Sequence, residues 1–130
     1  MSLCYVDFDR SPTFQSLLAS LRKRFPRIDD DLEGIWVDIA RDHQHARQAE
    51  SLIGFNNTVF KYRAKCSDMS RGSRGSYRII GYYHEPTNTL YPIFIYHKSD
   101  QTDVDKRTVS LAVQELLQLP LDIPERGHSA

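Results

Sequence analysis

Val59-Phe60-Lys61-Tyr62-Arg63-Ala64-Lys65-Cys66 is followed, after a ten-residue link, by Tyr77-Arg78-Ile79-Ile80-Gly81-Tyr82-Tyr83-His84. A turn then leads into Leu90-Tyr91-Pro92-Ile93-Phe94-Ile95-Tyr96-His97-Lys98-Ser99-Asp100. Three apolar, aromatic-rich runs separated by turn-prone residues read as an antiparallel strand meander. Within the first run, alternation directs Phe60, Tyr62, Ala64 and Cys66 to a core and Lys61, Arg63 and Lys65 to the other face. Three cations on one face repel each other, and a polyanion lying across them would offset that repulsion. The structural alternative is an exposed strand guarded by charge against edge pairing.

The link Ser67-Asp68-Met69-Ser70-Arg71-Gly72-Ser73-Arg74-Gly75-Ser76 carries two more arginines, Arg71 and Arg74. Its glycines permit backbone conformations in which N–H groups approach a ligand closely. From Val59 to Lys98 seven cations stand against only two carboxylates, Asp68 and Glu85, in a chain whose formal net charge is +0. The stretch from Arg27 to Asn57 is the counterweight, with seven acids against three basic residues. The charge is segregated.

At 130 residues, 40% hydrophobic and 26% charged, the chain has the size and composition of one soluble globular domain. We expect that domain to span 1–119, with 120–130 as a flexible tail. No apolar run reaches membrane-spanning length and no signal-like N-terminus is evident, so a cytoplasmic protein without a membrane partner is expected. Cys4 and Cys66 fit no ligand or redox spacing and read as buried thiols of a reducing compartment. No cofactor is called for.

Cys4 to Phe8 reads as a short strand. Ser11-Pro12 starts a helix, a hydroxyl cap followed by proline at the first helical position, and Phe14, Leu17, Leu18 and Leu21 supply its stripe. Asp29 is the expected cap of a second helix, with Leu32, Ile35, Trp36, Ile39 and Ala40 on its apolar side. His43 and His45 diverge by about 200° if helical and make a poor metal pair. Thr102-Asp103-Val104-Asp105 resembles a capping box ahead of a last helix carrying Val109, Ala112, Val113, Leu116 and Leu117. The expected fold is α+β: a small single domain with a twisted antiparallel sheet of about four strands. That sheet packs on an N-terminal helical hairpin, its opposite face open, and a C-terminal helix follows.

At this point the chain resembles the RelE/ParE superfamily of bacterial toxins, from Tyr5 to about Leu117. The resemblance rests on Phe60-Lys61-Tyr62-Arg63, Ser67-Asp68, Arg71-Gly72 through Gly75-Ser76-Tyr77-Arg78-Ile79-Ile80, and Ile95-Tyr96-His97-Lys98-Ser99-Asp100-Gln101. It implies a metal-independent endoribonuclease that cuts mRNA, usually on the ribosome, and is neutralised by a cognate antitoxin protein. Two positions depart from the family pattern. Ser73-Arg74 stands where Lys-Ser is usual, and His97 stands where the last strand usually has Ser, although some branches place a Tyr and a His there as catalytic groups. The superfamily also contains gyrase inhibitors without nuclease activity.

Metal-free RNA cleavage needs a base for the 2′-OH, cations for the phosphorane and an acid for the departing 5′-oxygen. Arg78 is the expected phosphate clamp, since its rigid fork matches two phosphate oxygens and stays charged. Lys65 adds charge, with Tyr96 or Lys65 as candidate base and His97 as candidate acid. Lys61, Arg63, Arg71, Arg74 and Lys98 are the expected RNA contacts. Strand alternation puts Tyr96 and Lys98 on the opposite face from His97 unless the strand ends there. The competing reading is a binding protein on the same fold, either a gyrase inhibitor or an inactivated toxin that only holds its antitoxin.

Overall fold

The computed structural model describes residues 3–68, 76–101 and 103–118. In chain order the elements are β1 (Tyr5–Val6), α1 (Pro12–Arg24), α2 (Ile28–Arg41), β2 (Glu50–Ser51), β3 (Val59–Lys65), β4 (Ser76–His84), β5 (Thr89–His97) and α3 (Lys106–Leu117). They form a small α+β domain. The tail 120–130 lies outside the described residues, as do Arg71 and Arg74. Among the described residues, no helix is long and apolar enough to cross a membrane.

The meander is present, β3 pairing antiparallel with β4 and β4 with β5. The sheet nevertheless has five strands rather than about four, in the order β1-β5-β4-β3-β2, and it is mixed. The chain reaches β1 before the helical hairpin and returns through the meander, so β1 lands beside β5 and runs parallel to it, Tyr5 opposite Thr89. At the other edge the two-residue β2 pairs with β3, Glu50 opposite Lys61. Strands this short leave no periodicity to read.

Local chemistry fixes the helix ends. Ser11 Oγ accepts the Phe14 N–H at 3.1 Å and Pro12 opens α1, as the sequence suggests. Helix α2 starts one residue earlier than its first aspartate, at Ile28, and Asp29 is not its cap. The Arg27 N–H instead donates to Asp68 Oδ2 at 2.8 Å, a cap supplied by the β3–β4 link from 41 residues away. Asp31 reciprocates by accepting from both the N–H and the hydroxyl of Ser67. The cap of α3 is Asp105, which accepts from Thr108 N–H at 2.8 Å; Thr102 lies outside the described residues.

Two apolar cores sit on the two sides of the sheet. Phe14, Leu18 and Leu21 of α1 and Leu32, Ile35 and Ile39 of α2 pack against Phe60, Tyr62, Ala64, Tyr77, Ile79 and Ile95. Free, buried Cys4 and Cys66 belong to this layer. On the other side Val109, Ala112 and Leu116 of α3 cover Val59, Ile80, Tyr91 and Ile93. The face expected to be open is therefore partly closed, because β4 and β5 carry apolar residues on both sides and each side needs cover. Toward the end of β3 and the start of β4 this face is only partly covered: Arg63 and Arg78 are half-buried and Lys65 is exposed, whereas Tyr96 of β5 is buried in the α3 core.

Candidate functional site

The strand register builds one row of side chains across that end: Arg63 of β3, Arg78 of β4 and Tyr96 of β5 are direct partners. Beside it Lys65 pairs with Ser76, and the Lys98 N–H continues the ladder by donating to Ser76 O at 2.8 Å. On the other flank Lys61 pairs with Ile80 and with Glu50. Alternation puts all of these on the face opposite the α1–α2 layer.

Arg78 is half-buried. Its Nη1 donates to Ser76 Oγ, which pins the guanidinium over the strand it grows from. Burial, and then the Arg63 cation, lower its pKa from the ordinary arginine value, while Glu50 acts in the opposite direction. The group stays charged at any physiological pH. Arg63 Nη1 donates to Gln48 O at 3.4 Å. Among the described residues neither arginine is in an ion pair with a carboxylate, so their mutual repulsion is only partly relieved by Glu50 at longer range. Tyr96 has its pKa raised, by burial first and then by Asp103, with Arg78 and Arg63 opposing. The phenol is thus protonated near neutrality and suits hydrogen-bond donation to an anion better than proton abstraction.

Lys61 is held differently from the other cations on this face. Its side chain is only 13% exposed and its Nζ lies 3.4 Å from Asp103 Oδ1, tying the β5–α3 connection to the sheet. Lys65 and Lys98 are exposed. Glu50, an exposed carboxylate acting electrostatically on both Arg78 and Tyr96, is a site residue that the sequence reading misses. Only its place opposite Lys61 reveals it.

His97 is not brought together with Arg78. It pairs with Tyr77, points into the α1–α2 layer and is 0% exposed. Its ring stacks on Phe25 at 4.8 Å and meets the Tyr77 ring edge-on. Burial, and then Arg24, lower its pKa against the pull of Asp100, so the ring is neutral. Nδ1 accepts the Ser99 N–H at 3.1 Å, which leaves the ring proton on Nε2, an atom buried without a hydrogen-bond partner among the described residues. The alternation rule is obeyed: Tyr96 shares the face of Arg78 and His97 does not.

Among the described residues no group of three or more His, Cys, Asp or Glu side chains is placed to hold a metal ion. His45 binds Asp42 and His43 stacks on Tyr83 at 3.9 Å. A cleft between α1 and α3, lined by Thr13, Phe94, Leu111 and Glu115, has a carboxylate as its charged group and would repel phosphate. The chain matches no protein-family model and no curated protein sequence.

Proposed function

We propose that this protein is the toxin of a RelE/ParE-type toxin–antitoxin system, a cytoplasmic endoribonuclease that cuts mRNA, on the ribosome, by attack of a 2′-OH on the adjacent phosphorus. The carrying observation is the cross-strand Arg63–Arg78 pair, half-buried on the sheet face opposite the α1–α2 layer, with Tyr96 as the next strand partner. Two cations held side by side, with no carboxylate in contact among the described residues, favour a phosphate that bridges them. In this reading Arg78 and Arg63 stabilise the charge that accumulates on the phosphorane, and Tyr96 donates a hydrogen bond to the same oxygens. The Glu50 carboxylate takes the 2′-OH proton, and Lys65 adds positive charge beside the phosphate. The P–O bond to the 5′-oxygen breaks, that oxygen takes a proton from water, and the products are a 2′,3′-cyclic phosphate and a 5′-hydroxyl. Lys98, Arg71 and Arg74 extend the contact along the RNA backbone. A cognate antitoxin silences the site by laying an acidic or amphipathic segment over the same cations or α3.

The placement of His97 favours a second reading, a non-catalytic binder that inhibits gyrase or only holds an antitoxin. With His97 buried on the far face, the group expected to titrate near neutrality is absent from the cationic surface. One experiment separates the two: induce the protein in cells and map mRNA 5′ ends, then incubate purified protein with RNA and analyse the termini. New 5′-hydroxyl ends that depend on Arg78 support the nuclease. Growth arrest with intact mRNA and blocked supercoiling supports the gyrase inhibitor.

A further inference from the structure

One wholly buried polar side chain among the described residues has no part in the cleavage reading. His97 is wholly buried, and its Nδ1 accepts the Ser99 N–H at 3.1 Å while lying 2.6 Å from Ser99 Oγ. Both bonds reach forward by two residues into the turn that ends β5. The same turn is closed by the Asp100 N–H donating to His97 O at 2.9 Å, and Asp100 is held from α1 by Arg24 through two bonds of 2.7 and 3.1 Å. Between these anchors the Lys98 N–H meets Ser76 O at 2.8 Å, and Ser76 Oγ in turn receives Arg78 Nη1. A continuous set of contacts therefore runs from the buried imidazole, through the turn and the first residue of β4, to the guanidinium on the opposite face.

We infer that His97 is a positioning residue: its Nδ1 holds the Ser99 amide, and this fixes the end of β5 so that Tyr96, Lys98 and Ser76 present Arg78 at the orientation that grips the scissile phosphate. The inference rests on the Arg63–Arg78–Tyr96 surface being the RNA-cleaving site. It assigns His97 no proton transfer, since Nε2 is sealed beneath Phe25 and Tyr77. Any other acceptor at the Nδ1 position should serve as well.

The test compares His97→Asn with His97→Gln. The asparagine side-chain oxygen falls near the place of Nδ1 and can accept from Ser99, whereas glutamine puts its polar atoms near Nε2. Both proteins are checked by circular dichroism and thermal melting, and RNA-oligonucleotide cleavage is followed under single-turnover conditions, with amide exchange measured at Ser99 and Lys98. His97→Asn should cleave within about threefold of wild type, while His97→Gln should lose about tenfold or more in rate with little change in half-saturating RNA concentration, as expected for misorientation of a charge-stabilising group. Ser99 exchange should quicken only in His97→Gln. If Gln does not fold, His97→Phe keeps the stack on Phe25 without an acceptor and replaces it in the comparison. Equal loss in both variants would point to proton transfer, and equal retention to packing alone; either overturns the inference. If the wild-type protein cleaves no RNA, the cleavage reading fails, and unchanged Ser99 exchange in Gln or Phe would still overturn the role given to His97.

Discussion

Arg63 and Arg78 are register partners across β3 and β4, so two guanidinium groups stand on one sheet face with Tyr96 as the next partner in the row. Like charges directly opposite on a sheet destabilise it. Replacing Arg78 with Ala should therefore leave stability unchanged or raise it by up to about 0.5 kcal/mol. Its effect on cleavage should be opposite and far larger, a loss of about 10²–10³ in rate, the usual result of removing a charge-stabilising donor. Arg78→Lys should recover only part, since a point charge replaces a bidentate fork. A folded Arg78→Ala protein that cuts RNA at the wild-type rate would remove Arg78 from the site.

Lys61 and Arg63, two residues apart on one strand face, should separate cleanly under mutation. Replacing Arg63, Lys65 or Lys98 should lower the salt dependence of RNA binding, by about one unit in the slope of log affinity against log salt for each phosphate no longer neutralised. Lys61→Met should leave that slope alone and cost stability, because its ammonium faces Asp103 rather than open solvent. A double-mutant cycle with Asp103→Asn should return a coupling of about 0.5–1 kcal/mol. Filter binding at several salt concentrations and urea melts measure the two quantities, and a normal melt with a reduced slope for Lys61→Met would reverse the assignment.

Gly81 carries a packing prediction. It pairs with Pro92 at the irregularity between Ile80 and Gly81, where the ladder slips past Ile93. A Cβ built there would stand 2.8 Å from Leu90 Cδ2, and Leu90 is itself fully buried. Gly81→Ala should destabilise the fold by about 1–3 kcal/mol through overpacking. Gly34, on an exposed stretch of α2, meets only the tip of Arg47 at 3.3 Å, so Gly34→Ala should be neutral or stabilising by helix propensity. Thermal melts of the two variants compare them directly, and a Gly81→Ala protein as stable as Gly34→Ala would contradict the packing.

The β3 pattern was legible because Phe60, Tyr62, Ala64 and Cys66 alternate strictly with three cations, and one side had to be buried. The parity of β5 was legible too, since Tyr96 and His97 must diverge. Which of them joins Arg78 was not, because that depends on cross-strand register and on the slip between Ile80 and Gly81. The covered second face had a signal in the sequence: Ile79-Ile80 and Tyr91-Pro92-Ile93-Phe94 are apolar on both sides, which marks strands buried on both faces. Glu50 and the Asp68 cap on α2 left none. The first sits on a two-residue strand and the second acts across 41 residues, so only the folded chain brings them to their partners.

The histidines set the response to acid. Burial is the first cause lowering the pKa of His43, His84 and His97, with Arg24 adding to the effect at His97 and Asp42 and Asp100 opposing it at His43 and His97 respectively. Below the ordinary imidazole value of about 6.5 the unfolded chain binds protons that the folded chain refuses. Stability from these groups is therefore complete above that pH and declines as pH falls below it toward the folded values. A second decline follows at lower pH, where Asp100, held low chiefly by Arg24, and Asp105, held low chiefly by Thr108, lose their charge. For His97 protonation is also a structural event, because Nδ1 can no longer accept the Ser99 N–H once it carries a proton. Melting temperature recorded from pH 8 to pH 4 should be flat at the alkaline end and fall by several degrees between about pH 7 and pH 5. In His97→Asn, which keeps an acceptor but does not titrate, the fall over that interval should be smaller. A melting temperature equal at pH 7.5 and pH 5, or a His97→Asn profile parallel to wild type, would mean that the buried imidazole does not resist protonation as its surroundings require.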